Sequence, residues 1–223
     1  MSAPRILHPQ SIPVAGVDDH LPPLPRERLT ATALRERFAR PVASFVPEFE
    51  GDGRLLTDRA PAAASVLVPL VLRDGGATLL LTRRTAHLRD HAGQISFPGG
   101  RAEDHDVDPA ATALREAEEE VGLPHDRVEI LGTLPTYTTV THFVVTPVVA
   151  LVTPPFDLKL DSFEVAEAFE VPLSFLMTPA NHRHHVFDFE GGRRQFLSMP
   201  YGDYFIWGAT AAMLRNLYRF LGE

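Results

Sequence analysis

Apolar residues recur along the chain with two periods, and the switches between them mark out its elements. In "LTATALRERFAR" (29–40) the apolar positions Leu29, Leu34 and Phe38 follow helical spacing, with Thr30 as a cap. "SVLVPLVLR" (65–73) and "ATLLLTRR" (77–84) are apolar runs around the turn "DGG", which predicts a hairpin. A helix is predicted from Asp108 to Val121, with Asp108 as its cap, Pro109 at its first position and Gly122 as its stop. "RVEILGTLPT" (127–136) and "FVVTPVVALV" (143–152) read as strands. "EVAEAFEVPLSFLM" (164–177) starts as a strand and breaks at Pro172 into a short helical piece. "HHVFDFEGGRRQFLSM" (184–199) predicts a hairpin around Gly191-Gly192. "IWGATAAMLRNLYRFL" (206–221) predicts an amphipathic helix, with Phe205 and Trp207 as core at its start. Residues 1–28 are proline-rich and aperiodic. The order predicts an α+β fold, a mixed sheet flanked by helices. Residues 1–60 form an irregular arm with one short helix, and 61–223 form a single domain.

Composition narrows the options. At 223 residues and 44% hydrophobic, the chain can bury a sizeable core. It has no cysteine, so disulfides, zinc–thiolate sites and thiol nucleophiles are excluded. The formal charge of −8 argues against a nucleic-acid partner, which needs a basic face, but leaves room for a small anion held by a few arginines. No apolar run approaches the roughly 20 residues that span a bilayer. "MSAPRILHPQ" lacks an apolar leader and "YRFLGE" carries no lipidation or peroxisomal signal. The expectation is a soluble, cytoplasmic protein without a membrane partner.

Chemistry concentrates in "ALREAEEEVGL" (113–123). Glu116, Glu119 and Glu120 stand at i, i+3 and i+4 and project onto one helix face, while Glu118 is rotated away. They crowd the negative end of the helix dipole, which prefers cations. A divalent ion would cancel both penalties, and three hard oxygen donors suit Mg²⁺ or Mn²⁺. A solvated acidic face is the alternative. Gly99 and Gly100 precede the helix in "FPGG", where glycine lets backbone carbonyls approach an ion or a phosphate. Arg115 is placed to pin a carboxylate by a bidentate hydrogen bond.

The run "GGRAEDHDVDPAATALREAEEEVGL" (99–123) resembles the Nudix box, whose core fits Arg115 to Leu123 at every position. Its front half departs from the box, with Asp106 in place of Glu and eight residues rather than seven before Arg115. The upstream stretch "LLTRRTAHLRDHAGQISFPGG" (80–100) resembles the motif of the coenzyme A diphosphatase branch, with Thr85 where that branch shows Ser or Ala. Members of the branch also tend to carry the lengthened box with Asp at this place. "EVAEAFEVPL" resembles the segment that follows the last core strands in the same family.

The resemblance implies a Nudix-type α/β/α sandwich and metal-dependent hydrolysis of coenzyme A to adenosine 3',5'-bisphosphate and 4'-phosphopantetheine. It implies Glu116, Glu119, Glu120 and the carbonyl of Gly100 as metal ligands. Glu119 and Glu164 would be catalytic carboxylates with Arg115 beside them. Arg84 and Arg89, with Arg83, Phe97 and Gly99, would bind substrate. Arg83 and Arg84 point to opposite faces of a strand, so one of them faces the substrate. Among the histidines, His184 and His185 diverge and do not form a zinc site, whereas His91 and His142 neighbour the substrate region. A homodimer is compatible with this reading. A Nudix hydrolase of ADP-ribose is the enzymatic alternative, and a non-catalytic Nudix-fold binding module is the alternative of another class.

Overall fold

The computed structural model of the chain describes residues 6, 8–40, 45–51, 60–87, 93–189 and 192–223. In chain order the strands and α-helices are β1 (Val14–Val17), α1 (Ala31–Phe38), β2 (Ala62–Val71), β3 (Thr78–Arg84), β4 (Ile95–Ser96), β5 (Gly99–Arg101), α2 (Pro109–Val121), β6 (Val128–Thr133), β7 (Tyr137–Thr138), β8 (Phe143–Val152), β9 (Val165–Pro172), α3 (Leu173–Leu176), β10 (Arg183–Phe189), β11 (Gly192–Tyr201), β12 (Tyr204–Trp207) and α4 (Gly208–Gly222).

The two most apolar runs, β2 and β8, lie parallel and in register from Ala62 opposite Phe143 to Val71 opposite Val152. Both faces of this pair are covered, so the strands read as almost unbroken apolar sequence. The main sheet has the order β4-β3-β2-β8-β6. The first half of β2 pairs with β5, and its end pairs with β3. Most of β3 pairs with β9. One face receives α2, whose Ala113, Ala117 and Val121 pack with Leu67, Val71, Leu80 and Val148. The small alanines allow helix and sheet to approach closely. The other face receives α1, α3 and α4 around Leu34, Val68, Leu79, Leu173 and Leu217. Each fully buried leucine contributes about 1.5–3 kcal/mol relative to exposure. The result is a mixed sheet between helical layers, the sandwich expected of this order of elements.

A second, antiparallel sheet has the order β1-β10-β11-β12. Three features of the two sheets differ from the expectations above. Val14–Val17, in the segment read as irregular, pairs with β10. Ile206 and Trp207, read as the start of the last helix, belong to β12, and the helix begins at Gly208. In the main sheet, the glycine turn at 99–101 is itself a strand, held along β2. Short strands of this kind owe their conformation to the partner's ladder rather than to their own side chains.

The early segment and α4 are bound together by polar contacts. Arg28 donates to the carbonyls of Leu221 (3.1 Å) and Gly222 (2.6 Å), and Arg37 donates to that of Phe220 (2.8 Å) while lying 3.6 Å over its ring. These cations satisfy the unpaired carbonyls at the negative end of α4. Deeper in, the buried Arg215 contacts Asp18 (2.9 Å) and Glu48 (2.8 Å). Asn216 exchanges two hydrogen bonds with the backbone of Phe49.

His182 completes this core network. One ring nitrogen faces the Leu176 carbonyl (2.7 Å) and must donate, so the other accepts from Arg215 (3.1 Å). The ring is therefore neutral, and burial lowers its pKa to about 4. His184 faces Asp18, and His185 faces Ser198 and the Ile12 carbonyl. Among the described residues, no helix is long and apolar enough to cross a membrane.

Arg37→Ala removes a charged hydrogen bond and a cation–π contact from the end of α4. The expected loss is about 1–3 kcal/mol, read as a fall of about 2–10 °C in melting temperature. An unchanged melting curve would show that the contact contributes nothing.

Candidate active site

The geometry begins with α2. Its first turn is fixed by Asp108, which accepts from the Ala111 amide (2.8 Å), and by Pro109. Its last turn holds no basic side chain, and Gly122 ends it in the left-handed conformation (φ 67°, ψ 27°). A side chain at position 122 would collide with Lys159, because the chain crosses there to cap the helix. The amides of Lys159 and Asp161 donate to the carbonyls of Val121 and Glu120, both at 2.9 Å. This crossing delivers Glu164 beside the acidic end of α2.

The three glutamates of the helix face fan out from interior to solvent. Glu120 is 5% exposed, accepts from the Gly99 amide (3.1 Å) and lies 3.6 Å from Arg84. Burial raises its pKa to about 8. The Gly99 amide and Arg84 oppose that rise, and Glu116 and Glu164 add to it. Glu116 is half-buried, and burial raises its pKa too, against the pull of Arg115. A Cβ at position 100 would stand 2.5–2.7 Å from the Glu116 carboxylate, so a larger residue would push that carboxylate from its place. The Glu119 side chain is 60% exposed and contacts Arg115 at 3.1 Å. Glu118 points away and meets His125.

Arg115 pins a carboxylate, and the one it grips with its full fork is Asp106, at 3.1 and 3.0 Å. Its remaining amino group bridges Glu116 (2.9 Å) and Glu119 (3.1 Å). The Asp106 side chain, 4% exposed, also accepts from Thr112 and from the Glu103 amide. These donors hold Asp106 far below the usual carboxylate range, with Arg115 first among them. Asp106 therefore anchors the arginine that sets two members of the acidic face. The altered spacing of the box makes Asp106 look dispensable in the sequence, because the loop that returns it to Arg115 leaves no trace in the helical period.

The strands add the rest. Arg84 reaches Glu120 (3.6 Å) and Glu164 (3.7 Å). Arg83 points the other way, to Glu167 (3.4 Å) and the ring of Tyr204. Gly99 lies against Ser65 and Val66 of β2 and offers its amide to Glu120. Phe97 is 2% exposed and packs within the core around α4. Arg89 and His91 lie outside the described residues. His142 has a left-handed φ of 65° and a buried Nδ1 without a hydrogen-bond partner among the described residues.

Among the described residues, no three histidine or carboxylate groups converge closely enough to hold a metal ion. Glu119 is turned to Arg115 instead. The donor set nevertheless suits a hard divalent cation. Among the described residues, the guanidinium groups facing Glu116, Glu119, Glu120, Glu164 and Asp106 are those of Arg84 and Arg115, at a helix end that itself carries partial negative charge.

The family model of the NUDIX domain matches residues 61–189. The uncharacterized Nudix hydrolase NudL of Escherichia coli K12 is 43% identical over 156 residues, covering 69% of this chain and 80% of that protein. NudL of Cronobacter sakazakii is 43% identical over 162 residues, covering 72% and 83%. Among solved structures, the Nudix hydrolase RenU of M. smegmatis aligns over 52% of this chain and 73% of its own with a TM-score of 0.44 and 25% identity. The chain belongs to the Nudix family. Its class of chemistry is the hydrolysis of phosphoric anhydride bonds.

Proposed function

We propose that the chain hydrolyses the diphosphate bond of coenzyme A and its derivatives, giving adenosine 3',5'-bisphosphate and 4'-phosphopantetheine. The observation that carries this reading is Arg84, which belongs to the upstream motif and lies between Glu120 of the box and Glu164. The segment that resembles the coenzyme A branch thus contributes directly to the acidic cluster. The hydrolase occupies residues 61–223 in this reading, with 1–60 as an extension, and it works in the cytoplasm.

Glu116, Glu119, Glu120 and the carbonyl of Gly100 would hold Mg²⁺ or Mn²⁺, which neutralises diphosphate charge and lowers the pKa of bound water. Arg84 binds the diphosphate by charge-assisted hydrogen bonds. Arg115 touches no substrate and positions Glu116 and Glu119 from its anchor on Asp106. Glu164 takes the proton of the attacking water as the water oxygen bonds to phosphorus. The bridging P–O bond breaks and the leaving phosphate departs.

The test is hydrolysis of coenzyme A, 3'-dephospho-coenzyme A and ADP-ribose, each with Mg²⁺ and with Mn²⁺. Coenzyme A is expected to be preferred over its dephospho form by about tenfold to a hundredfold in kcat/KM, the worth of a charged hydrogen bond to the 3'-phosphate. Turnover of ADP-ribose alone would replace the substrate assignment. Nucleotide binding without turnover would make the chain a binding module.

A further inference from the structure

The ladder between β3 and β9 continues past its last paired residues. Arg84 stands opposite Val165. Beyond it the Thr85 amide donates to the Glu164 carbonyl (2.9 Å), and the Thr85 hydroxyl donates to the Phe163 carbonyl (2.8 Å). The Phe163 amide donates to the Asp161 carboxylate (2.9 Å). Both main-chain polar groups of Phe163 are therefore tied down, yet the residue is 64% exposed. Its ring meets the ring of His87, with centroids 5.0 Å apart and planes at 60°.

A single exposed phenylalanine is ordinary on a protein surface. This one is held in place on both sides of its Cα and adjoins Glu164, whose carboxylate lies 3.7 Å from Arg84. The tilt of His87 supports the ring from one side without covering both of its faces.

We propose that Phe163, braced by His87, is the platform on which the planar base of the substrate's nucleotide half stacks. This rests on the reading of Arg84 and Glu164 as the diphosphate site. A base is joined to its diphosphate through one sugar, so it must come to rest close beside the diphosphate, and Phe163 is the residue next to Glu164. Asp161, which accepts from the Phe163 amide, and Glu164, the next residue in the chain, make this stretch acidic, which disfavours a phosphate there and tolerates a neutral base. The pantetheine arm has no aromatic face to match it. Every base has one, which makes stacking on an aromatic side chain tolerant of base identity.

The experiment measures calorimetric affinities of the full chain for adenosine 3',5'-bisphosphate and for 4'-phosphopantetheine, alongside coenzyme A turnover. Phe163→Ala is expected to weaken the bisphosphate by about tenfold to a hundredfold. It should leave phosphopantetheine within about twofold, while Phe163→Tyr keeps wild-type affinity. An unchanged affinity for the bisphosphate, or a loss confined to phosphopantetheine, overturns the platform. Wild-type turnover separates the two readings. If the wild type cleaves ADP-ribose and not coenzyme A, the coenzyme A assignment falls, and the loss of adenosine 3',5'-bisphosphate affinity in Phe163→Ala still decides the platform.

Discussion

Glu120→Gln is expected to reduce turnover by at least about a thousandfold, the effect of forfeiting some 4 kcal/mol of transition-state charge stabilisation, while the protein stays folded. The glutamine matches the glutamate in volume, and its amide oxygen can still accept from the Gly99 amide, which Glu120 now receives at 3.1 Å. What disappears is the negative charge at the most buried point of the acidic face. Without added metal the variant should melt at a higher temperature than wild type above about pH 4.5, because wild type must there either protonate Glu120 or bury its charge beside Glu116 and Glu164. Circular dichroism and steady-state hydrolysis on the same preparations check both halves. Turnover within a few-fold of wild type with an unchanged fold would remove Glu120 from the chemistry.

The second large effect is on stability against pH. The Glu120 carboxyl has a pKa of about 8 in the native protein and 4.5 as its ordinary value. The native state thus favours the protonated form. That advantage is complete below the ordinary value and is lost as pH rises through the native one. Metal-free protein should lose a few kcal/mol from this group between about pH 4.5 and 8, at about 1.4 kcal/mol for each pH unit crossed. Asp106, Glu129 and Glu170 titrate below their ordinary values, so their contributions vanish as pH falls rather than as it rises. The difference between wild type and Glu120→Gln isolates the one group. Mg²⁺ or Mn²⁺ at a hundredfold excess over its dissociation constant should add about 2.7 kcal/mol, most strongly at high pH, and flatten the wild-type slope. Urea titrations from about pH 5 to 9, with chelator and with metal, read this directly. An equal pH slope or an equal metal response in the variant would move the site elsewhere.

Much of the fold is legible in the sequence where local chemistry and tertiary structure agree. Asp108, Pro109 and Gly122 bound α2 on their own, and the apolar runs of β2 and β8 announce strands covered on both sides. Legibility fails where a residue's role depends on what lies opposite. "VAGV" and "GGR" carry no strand period and become β1 and β5 only by pairing with β10 and β2. "YFIW" runs without a break into a helical sequence, so the strand β12 is hidden in it. In the site, motif membership gives positions but not directions. Phe97 sits in the same motif as Arg84, yet it turns into the core while Arg84 turns to the carboxylates. Phe163 stands in no motif, and only its exposure and its pinned backbone draw attention to it.

The contacts that Arg28 and Arg37 make with the end of α4 also bear on how the chain is made. The partners stand 183 to 194 residues apart. At about 5–20 residues per second, a ribosome needs roughly ten to forty seconds to traverse that separation. Throughout that interval Phe38 has emerged while α4, whose Phe220 ring packs against it, does not yet exist. The half-made chain therefore displays the part of this apolar surface that Phe220 covers, even after β6 has emerged to meet Phe38 from its other side. That is the kind of surface a holdase chaperone binds, and α4 is the natural competitor that displaces it when synthesis reaches the last helix.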